Sequence, residues 1–316
     1  MTIGTTPRTR KKKREVYTPR ASFEELEIRT ADGVGLRAVV DDPPDGVPLR
    51  GTCVMAHAMF ARKSEFGRRE RPGLAQTYAA AGWRTIAFDF RGHGESVLPH
   101  GARASWSYDD LVRLDLPAVL ECARDRSEGL PVLAVGHSLG GHAALAAQGA
   151  GRIAADGIIA IGANVWLREL ETSRVRWAAK LAAGRLMAES VARVGRLPAR
   201  RFRIGSDDAS GAVISDVLRF MREGRWTSAD GASDYLASLA RVVVPVCAVS
   251  SAGDLLTCHP ASAEAFARRC AGPVESIRIL RGDDGRRAPG HMEMVTSDRA
   301  RSKLLDALDW MGSQLR

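Results

Sequence analysis

One pentapeptide constrains this chain more than any other stretch: Gly136-His137-Ser138-Leu139-Gly140. The apolar residues 131–135 before it read as a buried strand, and the Ala-rich residues 143–148 after it read as a helix. A G-x-S-x-G sequence in that setting puts the serine on a sharp, strained strand-to-helix turn that pushes its hydroxyl outward. The glycines have a steric role. Strand and helix pack so tightly there that side chains two residues before and after the serine would collide. The hydroxyl also lies at the positive end of a helix. Ser138 is therefore the candidate nucleophile.

A serine hydroxyl needs a base beside it and a third group to orient that base. In parallel α/β sheets such groups gather at the carboxyl ends of strands. Asp254 follows the apolar run 242–249, and His291 follows the last strand-like run, 274–280. The chain order Ser, Asp, His is the one this turn motif requires. His291 is the expected base and Asp254 its orienting carboxylate. Rival residues have plainer readings. Asp283 and Asp284 read as a solvated turn, Glu293 is too near His291 in sequence, and His259 reads as a helix-start residue. His57 and His93 read as braces in Gly-rich loops, and His137 as packing. The backbone N–H groups of Leu139 and Met59 are the expected oxyanion donors, Met59 lying in the loop after an earlier strand.

Strand and helix patterns alternate along most of the chain. Residues 23–29 and 35–41 read as an antiparallel hairpin, and 51–57, 83–90 and 157–162 as further strands. Helices are expected near 73–82, 108–126, 261–271 and 296–311. This alternation predicts a mostly parallel sheet with helices on both faces. It breaks at 163–238, which holds helical patterns and no strand pattern. One stripe there is Trp177, Leu181, Gly184, Ala188 and Val191; another is Ile214, Val217, Leu218 and Met221. The expected division is a basic, unstructured tail over 1–21, a core over 22–162 and 239–316, and a helical insertion over 163–238.

The net charge of +9 is unevenly placed: residues 1–20 carry +6 and 165–205 carry +7, leaving −4 elsewhere. With only 6% aromatic residues and no basic stripe on the body, nucleic acid is not an expected partner. No apolar run approaches the roughly 20 residues that span a bilayer. Five cysteines without CxxC pairing read as free thiols of a cytoplasmic protein. No HExxH, paired CxxC or phosphate-cradling Gly-Lys loop appears, so neither a metal nor a cofactor is expected.

Four motifs in order, His57-Ala58, Asp89-Phe90-Arg91-Gly92-His93-Gly94-Glu95-Ser96, the serine pentapeptide and Gly290-His291, resemble the α/β-hydrolase superfamily. The likeness runs over nearly the whole chain after residue 22. The closest look is to capped esterase-like members, similar to the monoglyceride lipase and serine aminopeptidase-like branch. The resemblance implies an α/β-hydrolase fold with an eight-stranded sheet and a cap between the sixth and seventh core strands. It also implies Ser138, Asp254 and His291 as the triad, and an acyl-enzyme route to cleavage of a small-molecule ester. Ser at 138 argues against epoxide hydrolases and haloalkane dehalogenases, whose similar turn carries a carboxylate. Thioester cleavage, acyl transfer and a non-catalytic binding role are the alternatives, and oligomeric state is open. Ala58 departs from the usual Gly and would be strained if that backbone needs positive φ. The arginines of 165–205 read as a solvated face; steering of an anionic substrate and transient contact with anionic lipid stay open.

Overall fold

The computed structural model describes residues 23–96, 105–281 and 286–316. The expected tail over 1–21 and the rivals Asp283 and Asp284 lie outside the described residues. Eight strands form one sheet: β1 (Phe23–Arg29), β2 (Gly35–Asp41), β3 (Gly51–Ala56), β4 (Trp83–Phe88), β5 (Val132–His137), β6 (Gly157–Ile161), β9 (Val246–Ser251) and β10 (Val274–Ile279). Their order is β1-β2-β4-β3-β5-β6-β9-β10. Only β2 runs against its neighbours; β4, β3, β5, β6, β9 and β10 pair in parallel. Strands β3, β5, β6 and β9 are buried at every position. Near-continuous apolar sequence is what a strand covered on both faces requires.

Side chains alternate between two apolar layers, as a pleated strand dictates. Val54, Ala134, Ile158 and Val246 pack with α3 (Leu116–Asp125) and α4 (Leu139–Gly149) on one face. Cys53, Met55, Leu133, Val135, Ile159 and Val249 pack with α1 (Leu74–Ala80) and α10 (Arg301–Gln314) on the other. The helical pattern at 108–126 is one rod in three parts: α2 (Tyr108–Asp110), a π-turn at Leu111–Asp115, and α3. Within the π-turn, Asp115 accepts from the Arg91 backbone N–H and Nε, at 3.0 and 2.7 Å.

Between β6 and β9 lie α5 (Arg174–Val194), α6 (Gly211–Glu223) and α7 (Tyr235–Ser238). Here several expectations are corrected. A two-residue ribbon, β7 (Arg196–Leu197) with β8 (Ala209–Ser210), occupies a region expected to hold no strand. It is too short to leave a period-2 pattern. The inward stripe of α5 also differs. Leu181 is exposed, whereas Lys180 is buried at 1% exposure, because Lys180 meets a buried carboxylate instead of water. Glu171 accepts from Lys180 Nζ at 2.9 Å and from Arg176 Nε at 2.9 Å. The strand expected from 242 begins only at Val246, after Pro245, which has no N–H to donate to a ladder. The last helix starts later than expected, behind the short helix α9 (Glu293–Thr296) and a 3₁₀ turn; α8 (Pro260–Ala267) covers β9.

Candidate active site

The carboxyl ends of β5, β6, β9 and β10 lie side by side in the sheet, so the loops that follow them converge. Ser138 links β5 to α4 with φ 51° and ψ −112°, outside the allowed regions for an ordinary side chain. The glycines explain why the chain can turn there. A Cβ on Gly136 would lie 2.3 Å from Gly141 N, and one on Gly140 would lie 2.1 Å from Ala56 O. Ser138 N–H donates to Ile161 O at 2.8 Å, which locks the turn to β6.

Asp254, three residues beyond β9, is 3% exposed. It accepts from His291 Nδ1 at 2.5 Å and from the backbone N–H groups of Thr257 and Cys258 at 3.0 and 3.1 Å. Burial alone would raise its pKa. The His291 ring and the two N–H groups outweigh burial and hold the carboxyl below its usual range. Ser138 and His291 line one cavity of about 290 Å³. Ser138 Oγ and His291 Nε2 make no hydrogen bond in the structure; such catalytic contacts often tighten only around substrate. Glu293 is engaged elsewhere, accepting from Gly290 N–H at 2.8 Å and pairing with Arg287 and Arg299. His259 caps α8 through Ala261 N–H.

Met59 and Leu139 also line the cavity, and neither backbone N–H has a partner among the described residues. Ala58 is not among the positive-φ residues, which outside glycine are Glu128, Ser138 and Arg203. Alanine is thus unstrained there. The loop is braced on every side. Neutral His57, its pKa pushed down to about 3 chiefly by burial, accepts from Phe90 N–H at Nε2 and so donates through Nδ1 to Ala58 O at 2.7 Å. His93 Nε2 lies 2.8 Å from Met59 O. Arg62 makes a two-pronged contact with Asp207, which lies between β7 and β8, at 2.5 and 2.6 Å.

Sequence reasoning missed Glu65 here and read His137 only as packing. Glu65, on a 3₁₀ turn, accepts from Ala58 N–H at 2.9 Å with one oxygen and meets His137 Nδ1 at 3.1 Å with the other. His137 Nε2 reaches His291 O at 3.2 Å. No periodicity or spacing marks such a contact between distant stretches. The motif beginning at Asp89 works in the same neighbourhood. Asp89 accepts from Lys63 N–H and Nζ, both at 2.7 Å.

Among the described residues no Lys, Arg, Asp or Glu side chain lines the cavity. Arg200, Arg201 and Arg203 are exposed, and Arg176 and Lys180 are committed to Glu171. The outer face of α5 leaves Val175, Leu186 and Val194 exposed among Arg174, Arg185 and Arg193. Among the described residues no group of His, Cys, Asp and Glu is placed to hold a metal ion, and no helix is long and apolar enough to cross a membrane.

The signature of the serine aminopeptidase S33 family matches residues 48–282. This chain belongs to that family. Its fold is shared by solved α/β hydrolases at low identity. DcsB, solved with a substrate analogue, is 14% identical with a TM-score of 0.63 over 93% of this chain and all of its own. The Pyrococcus furiosus esterase PF2001 is 17% identical with a TM-score of 0.58 over 98% of each chain. A Thermogutta terrifontis esterase, solved with malate bound, is 18% identical with a TM-score of 0.58, covering 92% of this chain and 99% of its own. No curated protein matches the sequence. The family makes the protein an α/β-hydrolase-fold hydrolase.

Proposed function

We propose that this hydrolase cleaves carboxylic esters of small molecules through an acyl-Ser138 intermediate. The observation that carries the reading is the Asp254–His291 hydrogen bond beside a strained serine in one apolar cavity. His291 Nε2 takes the Ser138 Oγ proton as Oγ attacks the ester carbonyl carbon. The carbonyl oxygen becomes an oxyanion facing Met59 and Leu139 N–H. Collapse breaks the bond to the alcohol oxygen, which leaves with the proton from His291. Water then attacks the acyl-serine, again giving a proton to His291, and the acid departs as Oγ regains it. Asp254 holds the ring with Nδ1 protonated and stabilises the imidazolium. Residues 163–238 act as a cap that supplies Met187, Ile204, Val217 and Phe220 to the cavity wall. The five unpaired cysteines, four of them buried, fit a reducing compartment, and we place the protein in the cytoplasm.

Hydrolysis of p-nitrophenyl esters of graded acyl length tests this reading. Wild type turns them over and folded Ser138→Ala loses at least a thousandfold of kcat. Equal turnover by the two proteins overturns it.

A further inference from the structure

The described cavity wall is apolar apart from Ser138, His142, Asn164, Trp166, Thr257 and His291, and three of these are committed. Trp166 donates its indole N–H to Thr257 O at 2.9 Å, and Ser138 and His291 belong to the proposed chemistry. Asn164 does not fit that pattern. It lies three residues beyond β6, is 7% exposed, and lines the cavity. Its Nδ2 is buried with no hydrogen-bond partner. Of the orphaned buried side-chain atoms among the described residues, this is the one that belongs to a cavity-lining residue. A buried amide left unpaired is rare in folded proteins and destabilising, so such a group calls for a partner that arrives from outside the chain. No hydrogen bond from Nδ2 fixes the amide, so a half-turn about χ2 presents either Nδ2 or Oδ1.

His142 supplies a second polar edge. It lies one turn along α4 from Ser138 and lines the same cavity. Its Nδ1 is 2.9 Å from the Tyr108 hydroxyl, and burial pushes its pKa down to about 3, so the ring is neutral. Nε2 has no partner among the described residues. Among the described residues the wall thus offers the Asn164 amide, a neutral imidazole and the Thr257 side chain, and no charge. An anionic group would find no cation among the described lining residues, whereas a hydroxyl can donate to Oδ1, accept from Nδ2, and use the imidazole in either role.

We propose that Asn164, with His142, is a specificity site for a neutral hydroxyl group on the acyl chain, so that the preferred substrates are hydroxyacyl esters and not plain alkanoates. The proposal rests on the ester-cleavage reading only for which part of the ligand enters. A purely apolar wall cannot favour a hydroxyl over a methyl, whereas a buried polar group left unpaired by the methyl analogue rejects it.

The test uses p-nitrophenyl ω-hydroxyalkanoates of increasing length, each beside the alkanoate with a methyl in place of the hydroxyl. Within a pair, intrinsic reactivity nearly cancels. The expected ratio of kcat/KM, hydroxyl over methyl, exceeds ten at one chain length in wild type and falls toward one in Asn164→Leu. The same comparison by calorimetry, with ω-hydroxyalkanamides against alkanamides on Ser138→Ala, reads the preference as a ratio of Kd without chemistry. Ratios at or below one across the wild-type series overturn the proposal and need no variant to do so. A preference that survives in folded Asn164→Leu also overturns it. Undiminished hydrolysis by Ser138→Ala overturns the nucleophile assignment alone, and the calorimetric ratio still decides the specificity site.

Discussion

Glu65 and His137 meet at 3.1 Å, and through that contact the loop carrying Met59 is tied to the end of β5, next to Ser138. Glu65 holds Ala58 N–H, and His137 holds the backbone carbonyl of His291. One carboxylate and one imidazole therefore connect three loops whose relative placement fixes where an oxyanion, a nucleophile and a base would stand.

Glu65→Gln keeps an acceptor for Ala58 N–H and removes the charge that faces His137. A small displacement of positioned groups is costly to catalysis. The expected loss in kcat on a chromogenic ester is about 10- to 100-fold, with KM little changed. Glu65→Ala should lose more. Full kcat in a folded Glu65→Ala would show that the pair only packs.

Ser138 stores backbone strain at φ 51°, and glycine adopts that conformation freely. Ser138→Gly is therefore expected to be inactive and yet more stable than wild type, by about 1 kcal/mol, a typical value for one strained residue. Urea unfolding measures it. A variant less stable than wild type would contradict the strained-turn account.

The Glu171–Lys180 pair anchors α5 near the Asp254 loop. Burial would raise the Glu171 pKa, but the hydrogen bonds from Lys180, Ser173 N–H and Arg176 lower it to about 2 from 4.5. A carboxylate with a depressed folded-state pKa stabilises the protein above its unfolded value and loses that contribution as pH falls. Stability from this group should thus be complete above pH 4.5 and decline toward pH 2. In Glu171→Gln the fall in unfolding free energy over that window should be shallower. Lys180→Ala, which leaves a buried carboxylate short of a partner, should cost about 3 kcal/mol at neutral pH. An unchanged urea midpoint in Lys180→Ala would contradict that role.

How much of this could be read from sequence follows from the range of the interactions. The hairpin at Phe23–Arg29 and Gly35–Asp41 was legible because its turn and alternation are local. The serine turn was legible because Gly136 and Gly140 answer to steric contacts within a few residues or with the next strand. Asp254 and His291, though 37 residues apart, could be paired because parallel topology places strand ends together. Lys180 was hidden because polarity reads as exposure until Glu171 is seen beside it. Glu65 and Asn164 were hidden for a related reason. Neither lies in a pattern, and each acquires its meaning from groups, or from an unfilled hydrogen bond, that only the folded chain brings to it.

The central claim is that Ser138 is the nucleophile, and an organophosphonate that reacts with activated serines tests it most directly. Incubation followed by peptide mass spectrometry should find one adduct per chain, on Ser138, with labelling abolished in His291→Ala. An unlabelled wild-type protein, or an adduct on any other residue, would contradict the account.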